Sequence, residues 1–260
     1  MTHGTAADFV TLGDGRALLR GSTARLVRWF DDRFLQMARQ EGALECRFPA
    51  TIAGETLARA GYFEAFPHGA TALGAGAGSY YLPPAVCYHA YAMLAGTRLD
   101  APARLTAVQT CFREVDRPAL TAARLWEFTM REAIFIGPGD WIREERARWA
   151  ERIDAFARDL GLSGSRAPAA DPFFGGVGRG RHLIQQLKGL KEELRLDAGS
   201  DTVAVASFNL HEGFFGTRFE ITLAEGIAAH SGCAAFGLER WALAFLEQHG
   251  SKAAEALIGV

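Results

Sequence analysis

From Ala17 to Gly42 apolar residues return every three or four positions, at Leu18, Leu19, Leu26, Val27, Phe30, Phe34 and Met37, with charged residues between them. That period lays one apolar stripe along a helix, so an amphipathic helix or helix pair is expected to open the domain. PATIAGETLARAGYF, residues 49–63, predicts a short helix that begins near Glu55 or Thr56 and ends at Gly61. After a glycine-rich loop at Gly74 to Gly78, Pro83 and Pro84 lead into an apolar segment with the character of a helix or a buried turn. The period then drops to two. Ala107 to Val115 and Leu125 to Gly137 alternate like strands, and the short gap between them, containing Pro118, predicts antiparallel pairing. Ile142 to Leu160 returns to helical spacing, with Trp149, Ile153, Phe156 and Leu160 on its apolar face. A Gly/Pro/Ser-rich linker, residues 161–180, enters the helical or mixed segment HLIQQLKGLKEELRL. Strand signals resume over Asp201 to Leu223, with a turn near Glu212 and Gly213. The chain closes with a strand leading to Cys233 and a helix from about Phe236 to His249, stopped by Gly250. Strand pairs without regular βαβ alternation or internal repeat predict an α+β fold, a single catalytic-sized domain with an antiparallel sheet flanked by helices.

Composition changes this picture little. At 260 residues, 49% apolar and 22% charged, the chain is long enough to bury a large core. A formal net charge of -2 argues against wholesale binding of a nucleic-acid backbone. The first residues lack the zones of a signal peptide, and no apolar run approaches the roughly 20 residues that span a bilayer; a cytoplasmic protein is expected. Cys46, Cys87, Cys111 and Cys233 lie far apart with no CxxC pair, which in a reducing compartment reads as buried small apolar residues.

Candidate chemistry concentrates in the strand pair. The glycine-rich stretches at 74–78 and 175–180 lack a preceding parallel strand and a Lys-Ser/Thr ending, so they read as loops. The seven histidines form no HExxH; His211 is the most site-like, and a satisfied histidine is the plainer reading. Alternation on the second strand groups Arg124, Trp126, Phe128, Met130 and Glu132 on one face and Leu125, Glu127, Thr129, Arg131 and Ala133 on the other. On its partner, Arg113 shares a face with Cys111 and Val115, opposite Phe112, Glu114 and Asp116. Guanidinium forks beside a flat ring on a rigid sheet suit a nucleoside triphosphate; the alternative is a solvated face with cross-strand ion pairs. Arg240, in the first turns of the last helix, is placed to meet the same phosphates or to face solvent.

These residues resemble the catalytic core of class II aminoacyl-tRNA synthetases of the seryl type, and more closely the stand-alone amino acid:[carrier protein] ligases, bacterial homologues of the archaeal zinc-dependent seryl enzymes. PATIAGETLARAGYFEAFPH is similar to the first class II motif, the strand pair to the second and FGLERW to the third. The resemblance implies that Arg113 grips the α-phosphate of ATP, Arg124 reaches the γ-phosphate, Phe128 stacks on adenine and Arg240 completes the phosphate site, with Glu114 and Ser207 also at the nucleotide. It implies Zn²⁺ held by Cys87 of LPPAVCYHAY, Glu132 and Cys233 of HSGCAAFGLER, leaving one position for the substrate amino group. Glu132, Asn209 and Ala235 would surround the amino acid. Cys46 and Cys111 keep the core reading.

Two departures stand out. FREV carries Val115 where the family has a glutamate, with Glu114 one place early. Val203, Ala204 and Val205 precede SFN where an acidic residue for Mg²⁺ is expected, leaving Ser207, Asn209 or Glu212 for that ion. The implied function is ATP-dependent activation of a small amino acid, of the glycine or alanine class, as an aminoacyl-adenylate, then transfer to the phosphopantetheine thiol of a carrier protein. An insertion around 142–180 would dock the carrier. The resemblance further implies a homodimer, while the lack of a basic surplus argues against a tRNA partner and the lack of a long apolar run against a membrane. The rival readings are an adenylate-forming enzyme with another acceptor, such as a small amine, a peptide or a tRNA, and a catalytically silent synthetase-like paralogue that binds zinc and an amino acid or partner.

Overall fold

The computed structural model describes residues 8–74, 79–114, 120–169, 189–224 and 226–259. Val115, Pro118, most of the 74–78 loop, the 175–180 glycines and the end of the 161–180 linker lie outside them. Labelling the main-sheet strands and the helices in chain order, the chain runs α1 (Gly21–Gln40), β1 (Leu44–Glu45), α2 (Gly54–Arg59), α3 (Tyr62–Ala65), α4 (Cys87–Met93), β2 (Ala103–Phe112) and β3 (Glu127–Gly137). It continues through α5 (Gly139–Asp159), β4 (Gly164–Pro168), β5 (Lys191–Ala198), β6 (Asp201–Glu212), α6 (Phe214–Phe219), β7 (His230–Gly237) and α7 (Leu238–Ile258). The sheet order is β4-β5-β6-β7-β3-β2-β1; every neighbouring pair is antiparallel except the edge pair β1 and β2.

Strand alternation sorts the core into two. From β3, Ala133 and Phe135 enter the layer under α1, α5 and α7, while Ile134 and Ile136 enter the layer under α2, α4 and α6. In the first layer Leu26, Phe30, Phe34 and Ala38 repeat every four residues along α1, and Phe34 stacks on Phe236 of β7 at 4.4 Å between ring centroids. In the second, Tyr91 of α4 stacks on Phe215 of α6 at 4.1 Å.

Three local expectations change and one helix is added. Ala17–Leu19 is not the start of α1 but a strand paired with Phe9–Thr11. Gly15 (φ +85°) makes the turn possible, and its backbone packs so closely on Trp126 that a Cβ there would lie 2.7 Å from the Trp126 Cβ. The short helix after Ile52 is α2, which ends ahead of Gly61 (φ +70°) as expected, and α3 follows beyond that glycine. KEELRLDA, in the segment read as helical or mixed, is a strand: Leu194 and Leu196 are buried at a spacing of two, as sheet alternation requires. Beyond Glu212, whose φ of +50° ends β6, the FFGTRF segment forms α6 instead of a strand because Phe215 and Phe219, one helical turn apart, are both buried.

α5, in the segment read as a docking insertion, buries Ile142, Trp149, Ala150 and Ile153 on the sheet. It is tied there by Arg104 to Glu145 (2.6 Å) and Arg146 to Glu192 (2.7 Å). No helix among the described residues is long and apolar enough to cross a membrane.

Candidate active site and metal cluster

Glu132 sits at the middle of the sheet, paired in register with Ala107 of β2 on one side and Ala235 of β7 on the other. Those two alanines leave space above the carboxylate. Cys233, two residues before Ala235, shares its face of β7, and Asn209 lies opposite it on β6. Cys87 comes from the other direction, at the start of α4, where Pro83 and Pro84 turn the chain down onto the sheet. One ligand atom from each of Cys87, Glu132 and Cys233 lies within 4.8 Å of the other two, and all three side chains are fully buried. Cys233 Sγ is 3.7 Å from Glu132 Oε1 and accepts a hydrogen bond from Asn209 Nδ2 at 3.4 Å.

Each of the three groups of this cluster is held above its ordinary pKa. Burial pushes Glu132 up to about 7, against hydrogen bonds and the Arg113 charge that pull the other way. The Cys87 thiol rises well above its usual value through its hydrogen bond to Cys233, burial and the nearby carboxylate. For Cys233 the bond to Cys87 acts to lower the pKa, but burial and Glu132 carry it above the usual value. Glu132 Oε2 and Asn209 Oδ1 are buried with no hydrogen-bond partner among the described residues. Two thiols and a carboxylate with an orphaned buried oxygen fit Zn²⁺, which prefers this donor set and would offset two of the three negative charges of the ionised ligands.

Next to the cluster, and sharing Glu132 with it, a cleft of about 380 Å³ runs over the sheet. Phe128, Met130 and Glu132 line it from alternate positions of β3, and Ser207 and Ala235 line it from β6 and β7. Arg113, Arg124 and Arg240 converge on it. Arg113 is held by its Nε donating to Pro84 O at 2.9 Å, with its guanidinium 5.3 Å from the Phe128 ring centre. Arg240 donates to Ala204 O at 2.9 Å, and burial together with Arg113 lowers it to about 10. Arg124 lies before β3, not on it, in a tight turn with Thr121, and is exposed.

Other expected residues fall elsewhere. Trp126 does not join the Phe128 face: β3 begins one residue later, and the indole turns to donate to Glu114 Oε1 at 3.0 Å. Glu114, exposed and also bonded to Thr71, is not among the residues lining the cleft, because alternation points it opposite to Arg113. Asn209 lies by the metal cluster, with its amide also donating to Ser207 Oγ at 3.2 Å. Glu212 is exposed at the end of β6 and does not line the cleft.

Three lining residues were missed because their segment reads as helical: Lys191, Glu193 and Arg195 of β5. Glu193 is the register partner of Ser207, with Lys191 Nζ at 2.9 Å and Arg195 Nη1 at 3.6 Å. The signal was present in the alternation of these three with Leu194 and Leu196. His211, on β6, is buried beside Cys233.

No protein-family model matches the chain. Amino acid–[acyl-carrier-protein] ligase 1 of Bradyrhizobium diazoefficiens is 35% identical over 242 residues, covering 82% of this chain and 74% of the relative. Ligase 2 of the same organism is 39% identical over 178 residues, 66% of this chain and 52% of that one. Among solved structures, the M. kandleri seryl-tRNA synthetase in complex with A. aeolicus tRNASec superposes with a TM-score of 0.81 at 21% identity, over 93% of this chain and 55% of that chain. The chain thus spans about half the length of the second ligase and of the synthetase. An antiparallel sheet with a parallel edge strand, a Cys-Glu-Cys cluster at its centre and this level of identity have one common account: the chain belongs to the family of amino acid:[carrier protein] ligases, enzymes built on the class II aminoacyl-tRNA synthetase fold.

Proposed function

We propose that the chain activates a small amino acid with ATP and passes it to the phosphopantetheine thiol of a carrier protein. The observation that carries this reading is that Glu132 belongs both to the metal cluster and to the cation-lined cleft, so an amino acid held at one abuts a nucleotide held in the other. In the first step an amino-acid carboxylate oxygen attacks the α-phosphorus of ATP; a P–O bond forms, and pyrophosphate leaves with the bonding electrons. The nucleophile is already ionised near neutral pH, so no general base is needed. What the chain supplies is orientation and countercharge. Arg113 and Arg240 flank the α-phosphate, Arg124 takes the distal phosphates and Phe128 supports the base. Bound Zn²⁺ would supply a Lewis-acid site for the substrate amino group, held by Cys87, Glu132 and Cys233. Glu193 and Ser207, side by side in the cleft, are the hard oxygen donors that suit the Mg²⁺ of the nucleotide. Ala107 and Ala235 bracket Glu132 and favour a side chain of glycine or alanine size.

In the second step the carrier thiol adds to the adenylate carbonyl, AMP departs and a thioester remains. The segment 142–180 is the proposed docking element, α5 being its rigid base, and the region around α2 and α3 the proposed homodimer contact. Amino-acid-dependent ATP/pyrophosphate exchange by zinc-loaded protein tests the first step. Exchange with glycine or alanine is expected, and its absence with every amino acid would leave a silent paralogue that binds zinc. Where exchange occurs, the mass gained by phosphopantetheinylated carriers, and not by tRNA, identifies the acceptor.

A further inference from the structure

His211 lies against the metal cluster without being one of its three members. It comes from β6, two residues beyond Asn209, and its ring is wedged edge-on against Phe215 at 5.1 Å and Tyr91 at 6.0 Å. Only 4% of the residue is exposed. Nδ1 meets the Tyr91 hydroxyl at 2.9 Å and the Ser231 hydroxyl at 3.1 Å, while Nε2 faces Cys233 Sγ at 3.8 Å. A neutral imidazole carries one N–H, and which nitrogen holds it is set by what each nitrogen faces. Hydroxyls can donate; a metal-bound thiolate can only accept. With the proton on Nε2, Nδ1 accepts from a hydroxyl and Nε2 donates to sulfur, so each group is matched. With the proton on Nδ1, a nitrogen lone pair would face the anionic sulfur in a buried site, which is costly.

We propose that His211 is a positioning residue for the metal cluster: Tyr91 and Ser231 lock its ring as the Nε2–H tautomer, and that N–H donates to the Cys233 thiolate. Together with the Asn209 amide, Cys233 then receives two donors. Its charge is drawn away from the metal, which becomes a stronger acceptor for the substrate amine. The inference rests on the metal reading of Cys87, Glu132 and Cys233, and goes beyond it in making the two thiolates inequivalent.

Two measurements test this. In ¹⁵N spectra of histidine-labelled, zinc-loaded protein, His211 should show a protonated Nε2 and an unprotonated Nδ1; the opposite assignment overturns the proposal without any variant. In protein loaded with saturating Co²⁺, His211→Met, which fills the space without a donor, should move the thiolate-to-cobalt charge-transfer band to lower energy. It should also raise the amino-acid KM roughly tenfold, within the range such outer contacts command, with a smaller change in kcat. His211→Gln, whose amide can donate from the Nε2 position, should restore both. A His211→Met protein that binds one Co²⁺ per chain with the wild-type band removes His211 from this role and leaves the metal site standing. A wild type that takes up no Co²⁺ or Zn²⁺ sinks both readings.

Discussion

Glu132 is a carboxylate that burial keeps half protonated near neutrality, at about 7, and the two thiols beside it are raised as well. A metal must displace whatever protons these groups hold, so its binding carries a pH signature. At pH 6 all three groups are chiefly protonated in the metal-free protein, and Zn²⁺ should release about three protons; by pH 8 Glu132 is already ionised and about two should appear. The sign follows from the direction of the shifts: raised acid pKa values mean bound protons, so metal affinity climbs as pH rises. Titrating Zn²⁺ into weakly buffered metal-free protein reads the count directly. A release independent of pH would show that Glu132 surrenders no proton to the metal in this range. Cys111 is the internal contrast. It is equally buried and pushed up by burial, yet it packs with Val86, Ala107, Met130 and Ala235 and takes no part in the cluster. Burial alone does not distinguish the ligand cysteines from it; only convergence of three chain-distant residues does.

Strands decide where these side chains point. β7 delivers Cys233 only because its neighbour Gly232 has no side chain: a Cβ there would lie 2.5 Å from Phe135 Cε2 and 2.7 Å from Asn209 O. Gly232→Ala must push β7 away from β6 or β3, at about 1–3 kcal/mol for overpacking. It should lower the midpoint of urea unfolding and reduce metal content per chain, although no ligand is altered. β5 makes a second case. Glu193→Gln keeps the shape but removes the carboxylate shared by Lys191 and Arg195. If Glu193 serves the nucleotide-bound ion, the Mg²⁺ concentration for half-maximal exchange should rise about tenfold, the worth of one charge-assisted contact. An unchanged Mg²⁺ dependence would assign the residue to holding its two cations in place.

The long helices were legible because their period near four runs over ten residues or more, and β3 because the alternation of Trp126, Phe128 and Met130 leads into the apolar run Ala133 to Ile136. β5 was not, since its charged face follows the helical spacing of HLIQQLKGL and its alternation shows only in Leu194 and Leu196. The site was legible as a set of residues, Arg113, Arg124, Phe128 and Arg240 on one cleft, and so was the facing of Glu114 opposite Arg113, but that of Trp126 was not: it depends on β3 starting at Glu127, a boundary fixed by packing against Gly15.

At the scale of the molecule, the metal cluster joins parts that folding otherwise brings together only through packing. Cys87 stands on α4 in the outer helical layer, Glu132 at the sheet centre and Cys233 on the neighbouring strand, separated by 45 and 101 positions along the chain from Glu132 to each cysteine. Both cysteines belong to the core layer under α2, α4 and α6, so a bound metal would pin that layer to the sheet, whereas the layer under α1, α5 and α7 is secured by its stacked aromatics. An ion that binds only the folded chain stabilises it by RT ln(1 + [L]/Kd), about 4 kcal/mol when free metal stands at a thousand times Kd. For a chain of this size that corresponds to roughly 8–16 °C in Tm. Chelation should therefore lower Tm by that order in wild type and leave Cys87→Ser unchanged, because the variant has already lost the site. Calorimetry with and without chelator measures both. Hydrogen exchange locates the effect: amides of α4 and α6 should lose protection on chelation before those of α1 and α7. Equal loss in both layers would mean that the metal acts on the sheet as a whole and not as a clasp on one side of it.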